Sequence, residues 1–301
     1  KESGNKTKPG LGISKMSKRT NMKKIINILL SALMLTGCAS ESVVAQTKST
    51  LKVATYNLRM DTEKDGENAW PNRKELVKGM VKTYDFDIFG TQEGFKHMLD
   101  GVNEVGGYTC FGGGREDGLD AGEHSAIFYK TDRFIKLDGG NFWYSETPEA
   151  PGLGWDATCC NRICSWLKLK DTVSGKEFFF FNSHFDHQGV VARRESSRLL
   201  LAKIKQIAGD NPVFSTGDYN ATPESEPIKI ILSDGFLKDS RVISKKAPIG
   251  TIGTTNGFKE NSVANNRIDY VFVANGIQIN SYGVLNDKPN GRFTSDHYPV
   301  M

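Results

Sequence analysis

The stretch Ser215-Thr216-Gly217-Asp218-Tyr219-Asn220 follows directly on the apolar residues Pro212-Val213-Phe214. These apolar residues predict a buried strand. If the strand continues through the polar residues, Asp218 and Asn220 point to the same side, because side chains alternate along a strand. Gly217 leaves room for another group to approach the backbone closely. The stretch therefore predicts a strand end that presents a carboxylate beside an amide, with an Asx-type turn as the alternative.

Apolar stretches that lead into polar residues recur along the chain. A strand predicted over residues 51–57 ends in an amide, and one over residues 86–90 is followed by Thr91-Gln92-Glu93. The strand predicted over residues 177–182 is apolar on both faces, which indicates that it lies between two layers. It leads into Ser183-His184-Phe185-Asp186-His187.

Eight polar residues share a position at or near the end of a predicted strand. They are Asn57, Glu93, His184, Asp218, Asn220, Asp269, Asp296 and His297. In α/β sheets, functional sites are built where strands end. A single residue of this kind is more often structural than catalytic, but eight of them at successive strand ends predict one shared site.

The remaining elements predict an α/β fold. Helices are expected over residues 68–84, 190–208 and 224–232, and they alternate with the strands in what we expect to be one domain. A loop over residues 145–158, rich in Pro, Gly and Trp, is expected to shape a binding cleft. A glycine-rich loop over residues 112–122 is interpreted as a plain connector, because it lacks the strand-then-helix context of a phosphate-binding motif.

Six short strings, taken in order, resemble the motifs of a known superfamily. They are Tyr56-Asn57-Leu58-Arg59, Thr91-Gln92-Glu93, Ser183-His184-Phe185-Asp186-His187, Gly217-Asp218-Tyr219-Asn220, Arg267-Ile268-Asp269-Tyr270-Val271 and Ser295-Asp296-His297-Tyr298-Pro299. Their order is similar to that in the endonuclease/exonuclease/phosphatase superfamily, and the match runs from Leu51 to Val300. The resemblance implies a four-layer α/β sandwich with two mixed central β-sheets flanked by helices. It is weak for substrate, because that superfamily includes deoxyribonucleases, sphingomyelinases and inositol polyphosphate phosphatases.

The resemblance also implies a divalent metal site. Glu93, a hard oxygen ligand, would hold one Mg²⁺ or Mn²⁺ together with Asn57 and Asp296. The metal would neutralise charge on a scissile phosphate and on the leaving oxygen.

The catalytic roles implied by the resemblance fall on five residues. The pair His297–Asp269 suits the activation of a water, because the carboxylate fixes the tautomer of the imidazole and raises its basicity. Asp218 is the alternative base. Asn220 is expected to orient the nucleophile or a phosphate oxygen, and His184 to donate a hydrogen bond to a non-bridging oxygen.

Two further residues are expected near the substrate. Arg162 is expected to touch phosphate and Asp186 to orient a neighbouring ligand, with a structural ion pair as an equal alternative for both. The other histidines, His97, His124 and His187, are expected to be non-catalytic.

The N-terminal segment predicts export. Lys23-Lys24 precede an apolar run, residues 25–35, that is too short to span a bilayer. The string Leu35-Thr36-Gly37-Cys38 resembles a bacterial lipobox, which implies cleavage before Cys38 and a lipid on that cysteine. Translation is expected to start at Met22.

Three segments follow from this interpretation. Residues 1–37 are expected to be upstream sequence plus a lipoprotein signal peptide, residues 38–50 a tether, and residues 51–301 the catalytic domain. The protein is expected to be exported as a monomer and held by its lipid at a bacterial membrane, on the periplasmic or cell-surface side.

The charge of the exported part does not favour long nucleic acids as partners. Residues 1–37 carry eight of the 39 basic residues and one of the 35 acidic residues, so the rest has 31 basic and 34 acidic residues and a net charge of −3. A slightly acidic chain has no general electrostatic attraction for a phosphate backbone.

Four cysteines remain after Cys38, at positions 110, 159, 160 and 164. Export permits disulfides, but the spacing matches no zinc pattern. Structural thiols or one disulfide are therefore expected.

The expected function is that of a divalent-metal-dependent hydrolase acting on a phosphodiester or phosphomonoester of a small or lipid-derived organic phosphate. A nuclease is the closest alternative, and a basic stripe along the site would favour it. A closed pocket walled by Trp70, Trp143 and Trp155 would favour a compact ligand. A surface binding lipoprotein without catalysis is the alternative from another class, and the presence of Glu93, Asp218 and His297 argues against it.

Overall fold

The computed structural model describes residues 49–260 and 265–301. The expected signal segment and Cys38 lie outside these residues, as does most of the expected tether. Within the described residues the strands are β1 (Val53–Asn57), β2 (Ile88–Gln92), β3 (Tyr108–Phe111), β4 (Ile127–Lys130), β5 (Phe134–Trp143), β6 (Ile163–Asp171), β7 (Glu177–His184), β8 (Val213–Asp218), β9 (Lys238–Asp239) and β10 (Asp269–Ala274). The α-helices are α1 (Trp70–Tyr84), α2 (Lys96–Asn103), α3 (Val190–Ala208), α4 (Glu226–Leu232) and α5 (Ser240–Ile243).

Two mixed sheets form the centre of the domain. The smaller has the order β1-β2-β4-β3, with β1 and β2 parallel and the other pairs antiparallel. The larger has the order β5-β6-β7-β8-β10-β9, in which only β7 and β8 are parallel. The predicted class, two mixed central sheets flanked by helices, is confirmed.

Three apolar clusters correspond to the three interfaces of a four-layer sandwich. One joins α1 and α2 to the smaller sheet through residues such as Val77, Leu99 and Phe89. A second joins α3 and α4 to the larger sheet, and the third lies between the two sheets. Burial of this much apolar surface provides the main stabilisation of the arrangement.

Strand β7 lies between two layers, as its sequence predicts. Phe178 and Phe180 belong to the cluster between the sheets, whereas Phe179 and Phe181 belong to the cluster beneath α3. Alternation of side chains along the strand explains why four consecutive phenylalanines are all buried.

A buried amide also links the two sheets. Asn182 Oδ1 accepts hydrogen bonds from Gln92 Nε2 at 2.7 Å and from Thr216 Oγ1 at 3.0 Å. Its Nδ2 donates to the carbonyls of Thr91 and Ala126 at 2.8 and 2.9 Å. Gly90 lies against this amide, and a Cβ there would be 2.2 Å from Asn182 Oδ1.

We therefore expect Gly90→Ala to destabilise the protein by about 2–4 kcal/mol, since the added methyl overfills the interface and displaces a buried hydrogen-bonded amide. Urea unfolding followed by circular dichroism measures this change. The matched control is Gly79→Ala in α1, where a Cβ meets no atom within 4 Å. That variant is expected to gain about 0.5–1 kcal/mol of stability from helix propensity. Equal stability of the two variants would contradict the packing argument.

Some predicted elements differ from the structure. Residues 295–300, whose sequence predicts a late strand or strand end, form isolated bridges, such as Thr55 with Val300, rather than a regular strand. The cysteines, by contrast, agree with the expectation of structural thiols or one disulfide, since Cys159 and Cys160 are joined in a disulfide while Cys110 and Cys164 are free. None of the helices in the described part of the chain is both long and apolar enough to cross a membrane.

Candidate active site

The predicted site residues meet at one edge of the sandwich. In the larger sheet, His184 at the end of β7 pairs with Asp218 at the end of β8, which pairs with Asp269 at the start of β10. Because the antiparallel strand β10 begins where β7 and β8 end, the three side chains form a row across the sheet edge.

The smaller sheet brings its own residues to this edge. Asn57 and Gln92 are paired at the ends of the parallel strands β1 and β2. Glu93 follows β2 with a φ of 63°, which turns the chain out of the sheet. Ser295 Oγ donates to the carbonyl of Asn57 at 2.7 Å, and this bond holds the segment with Asp296 and His297 against the end of β1.

The Asn57 amide orients two carboxylates. Its Nδ2 donates to Glu93 Oε1 at 2.9 Å and to Asp218 Oδ2 at 3.0 Å. Its Oδ1 already accepts the backbone N–H of Arg59 at 2.9 Å. Asn57 therefore positions Glu93 and Asp218. Its role as a metal ligand stays a prediction, since Oδ1 has a second lone pair beside the one that accepts the Arg59 N–H.

Three side chains converge closely enough to hold one metal ion. Glu93, Asp218 and His297 each offer a ligand atom, and these atoms lie within 4.8 Å of one another. Two carboxylates and an imidazole suit Mn²⁺, and the carboxylates suit Mg²⁺. The donor set thus fits the expected divalent cation, and it shares Glu93 with the predicted set of Asn57, Glu93 and Asp296.

Asp296, predicted as a ligand, lies at the rim of this group. Its Oδ2 is 3.9 Å from the Arg59 guanidinium, and its side chain remains 20% exposed. Arg59 in turn lies 3.9 Å from Glu93 Oε2 and forms a close ion pair with Asp65. Asp296 therefore faces a competing cation and contributes negative charge beside the cluster.

The ionisation of Glu93 favours metal binding. Burial opposes a charge on Glu93, but the nearby His297 and the hydrogen bonds from Asn57 and the Met60 N–H together lower the pKa of this carboxyl below its usual value. A carboxylate that stays ionised while buried is a suitable cation ligand.

His297 and Asp269 form the predicted pair. His297 Nδ1 lies 2.9 Å from Asp269 Oδ2, and both residues are buried. Burial lowers the pKa of His297, but the charge and hydrogen bond of Asp269 more than offset this and raise it well above its usual value. The other ring nitrogen, Nε2, lies 3.9 Å from Asp218 Oδ2 and so faces the cluster.

Asp218 is held by hydrogen bonds on both oxygens. Besides the Asn57 amide on Oδ2, the backbone N–H of Asn220 donates to Oδ1 at 2.9 Å. Burial, followed by the negative charge of Asp269, raises the pKa of Asp218 to about 7.

Asn220 corrects the opening expectation. Strand β8 ends at Asp218, and Asn220 has a φ of 47°, so the two side chains do not share a strand face. The Asx-type turn forms instead, and Asn220 Nδ2 donates to the carbonyl of Phe185 at 3.0 Å. Asn220 thus ties the end of β7 to the turn that holds Asp218.

His184 has a partner that the sequence analysis missed. Its Nδ1 lies 3.7 Å from Glu123 Oε2, and Glu123 accepts a hydrogen bond from Arg115 Nη1 at 2.7 Å. Burial and then the positive charges of Arg162 and Arg115 lower the pKa of His184 well below its usual value, so its imidazole is neutral near pH 7. Glu123 precedes a strand instead of ending one, so the strand-end pattern could not indicate it.

Arg73 is a second residue that the sequence analysis missed. This fully buried side chain of α1 donates to the carbonyls of Leu58 and Thr294 at 2.9 and 2.7 Å. These two residues precede the segments with Arg59 and with His297. The sequence signal that could have indicated Arg73 is its position as a charged residue on the apolar face of α1.

Arg162 and Asp186 contact each other beside His184. Arg162 Nε lies 3.5 Å from Asp186 Oδ1, and Arg162 Nη2 donates to His187 Nδ1 at 2.8 Å. Asp186 Oδ2 also accepts the backbone N–H of Gln188 at 2.8 Å, a turn contact.

The tryptophans do not wall a pocket. Trp70 is buried between α1 and the smaller sheet, and Trp143 is buried with its Nε1 donating to the carbonyl of Arg115 at 2.7 Å. Trp155 packs against the cluster beneath α3. Trp155, the one aromatic residue of the loop over residues 145–158, therefore serves packing.

The chain is similar to known proteins over most of its length. The model of the endonuclease/exonuclease/phosphatase family matches residues 54–297. A solved mannosyl-6-phosphatase from Bacteroides thetaiotaomicron is 42% identical, with a TM-score of 0.79 over 83% of this chain and 98% of that one. A family protein from the same organism is also 42% identical, with a TM-score of 0.80 over 84% of this chain and 96% of the other.

A more distant relative carries a different activity in its name. The CCR4-Not complex 3'-5'-exoribonuclease subunit Ccr4 of Aspergillus niger is 23% identical over 77% of this chain, which spans 47% of that protein. The chain belongs to the endonuclease/exonuclease/phosphatase family, because the family model and a relative of 42% identity both match most of it. Members of this family are hydrolases that act on phosphate esters.

Proposed function

We propose that this chain is a divalent-metal-dependent phosphoesterase that cleaves a small phosphate ester by in-line attack of water. The observation that carries the proposal is the convergence of Glu93, Asp218 and His297 within 4.8 Å, with His297 oriented by Asp269. The two carboxylates can hold a cation beside the scissile phosphate, and the oriented imidazole can exchange a proton with the water that attacks the same phosphate.

The residues divide the work as follows. Glu93 and Asp218 would hold Mg²⁺ or Mn²⁺, and the bound cation supplies charge neutralisation at the scissile phosphate. Asp269 accepts the Nδ1–H of His297. The positive charge of a bound cation would lower the raised pKa of this imidazole, so that its Nε2 could take a proton from the attacking water. His184, neutral and buried, is placed to donate a hydrogen bond to a non-bridging oxygen.

A compact substrate is supported by two observations. The similarity to a mannosyl-6-phosphatase, at 42% identity over nearly all of that chain, favours a phosphate ester of a sugar as the first candidate. The net charge of −3 on the exported part disfavours long nucleic acids, the alternative that the exoribonuclease relative raises.

The test is a substrate panel with the full chain. Mannose 6-phosphate, bis-p-nitrophenyl phosphate, and RNA and DNA oligonucleotides are assayed with Mg²⁺, with Mn²⁺ and with EDTA. We expect turnover of a small ester that EDTA abolishes and added cation restores. Turnover indifferent to EDTA would refute the metal dependence. An oligonucleotide as the best substrate would support the nuclease, and binding without turnover would support a lipoprotein that has lost catalysis.

We also propose that the protein is exported and anchored as a monomer by a lipid on Cys38, on the strength of the lipobox-like string alone. In a bacterial host, Cys38→Ala is expected to move the protein from the membrane fraction to the soluble fraction and to abolish labelling by radioactive palmitate. Cys110→Ala, which leaves the lipobox intact, is the control. Unchanged fractionation of the Cys38 variant would contradict the anchor.

A further inference from the structure

Arg162 is a buried guanidinium with fewer partners than it has donors. Only 5% of the residue is exposed. Its Nη2 donates to His187, but Nε and Nη1 have no hydrogen-bond partner, and neither does the facing Asp186 Oδ1. Since buried polar groups are almost always paired, these unpartnered N–H groups indicate a missing ligand atom.

A small cavity is lined in part by the Arg162 side chain. It has a volume of about 10 Å³ and is lined by Arg115, Glu123, Arg162 and His184, among others. A cavity of this size accommodates one water-sized atom. We refer to it as the Arg115–Arg162 hole.

Hydrogen bonds and close backbone contacts fix the conformation of the glycine-rich loop that carries Arg115. Gly118 N–H donates to the carbonyl of Gly114 at 2.7 Å, and Arg115 N–H donates to the carbonyl of Glu123 at 2.9 Å. A Cβ on Gly114 would lie 2.2 Å from the carbonyl oxygen of Ala121, so the close approach requires glycine. Trp143 fixes the carbonyl of Arg115 from the other side. The glycine-rich loop is therefore a structured wall of the site, not the plain connector predicted from its sequence.

We propose that the Arg115–Arg162 hole receives one terminal oxygen of the substrate's phosphoryl group and thereby selects phosphomonoesters over phosphodiesters. This inference rests on the proposed function. During in-line attack, phosphorus carries three oxygens besides the entering and leaving ones. The cation and His184 would each contact one of these oxygens, so the hole receives the third. In a monoester all three are free, whereas in a diester one of the three bears a carbon, which cannot enter a space sized for one atom.

Size decides this selection more than charge. Glu123 and Asp186 lie against the two guanidinium groups and offset much of their positive charge. The guanidinium N–H groups of Arg115 and Arg162 can nevertheless donate charge-assisted hydrogen bonds to an anionic oxygen. Such bonds fix the orientation of the phosphoryl group and also strengthen its binding.

Two substrates that differ by one methyl group test the proposal. The kcat/KM values for p-nitrophenyl phosphate and methyl p-nitrophenyl phosphate are measured with Mg²⁺ for the wild type, Arg115→Gln and Arg162→Lys. We expect the wild type to prefer the monoester, and both variants to lose about 10- to 100-fold on the monoester but less on the diester. Arg198→Gln, an exposed helix arginine paired with Glu195, is the control and is expected to keep the wild-type ratio.

Binding of inorganic phosphate in EDTA, followed by calorimetry, separates this inference from the proposed function. Weaker phosphate binding in Arg115→Gln supports the hole even if neither ester is hydrolysed, in which case only the proposed function fails. A wild-type preference for the diester, equal losses on both substrates, or unchanged phosphate binding in both variants overturns the hole, while metal-dependent hydrolysis can still stand.

Discussion

Replacing His297 with alanine is expected to lower kcat/KM for phosphate ester hydrolysis by about 10²- to 10⁴-fold at saturating Mg²⁺. With Nδ1 held 2.9 Å from Asp269 Oδ2, the imidazole presents Nε2 to the cluster, and alanine removes the group that exchanges the proton there. Steady-state kinetics with mannose 6-phosphate or p-nitrophenyl phosphate measure the loss, and circular dichroism confirms that the variant is folded.

Two further variants serve as comparisons for His297→Ala. Asp269→Asn keeps the shape of the partner but removes its charge, and we expect a smaller loss than in His297→Ala because the imidazole remains. His97→Ala removes an exposed histidine that pairs with Asp61, and its activity is expected to equal that of the wild type. If His297→Ala kept more than about a tenth of the wild-type kcat/KM, the histidine would not be the proton acceptor.

Replacing Glu93 with glutamine is expected to weaken Mn²⁺ binding at least tenfold, roughly the loss seen for outer-shell partners of a metal, and to lower kcat/KM by about 10³-fold. Glutamine has nearly the same size, but it lacks the negative charge that the cation needs. In the wild type, Asn57 Nδ2 and the Met60 N–H each donate to one oxygen of the Glu93 carboxylate. In the glutamine variant, the side-chain NH₂ would face one of these two donors and could not accept its hydrogen bond. Calorimetry with Mn²⁺ measures the binding loss without relying on turnover.

The control for this variant is Glu177→Gln, which removes a carboxylate at the far end of β7, where it pairs with Lys168. Its Mn²⁺ affinity and activity are expected to be unchanged. If Glu93→Gln bound Mn²⁺ with wild-type affinity, this would falsify the assignment of Glu93 as the main ligand, and the ligand would have to be another residue.

The hydrogen bonds around Asp218 bear on its role. Both of its oxygens accept hydrogen bonds, one from Asn57 and one from the backbone of Asn220. These bonds place Asp218 to hold a cation, while its pKa, raised to about 7, also suits a base. The kinetics of His297→Ala therefore decide between His297 and Asp218 as the proton acceptor.

Much of the fold could be predicted from the sequence, because the signals were local. The four phenylalanines of β7 and the apolar approach to Asp218 indicated buried strands, and both are buried. The short strand β3 and the helix α2 were not anticipated. In β3, all four residues are only half-buried, so apolar periodicity leaves a weak signal.

The candidate site could be predicted only in part. The residues at strand ends do converge, but only the tertiary structure shows that the Asn57 amide nitrogen donates to Glu93 and Asp218 and that His297 lies beside both carboxylates. Glu123 and Arg115 escaped notice because a glycine-rich loop carries no periodicity. Their place beside His184 depends on contacts with distant residues such as Trp143.

The sequence by itself determined where apolar strands stop and which polar groups stand at their ends, because the alternation that buries a strand acts between neighbouring residues. Only the tertiary structure decided which of those groups meet. The row of His184, Asp218 and Asp269 arises from the register of three paired strands, and a shift of one residue would break it. Distances between side chains far apart in the chain are set by such pairing and by packing between layers, which no local pattern encodes.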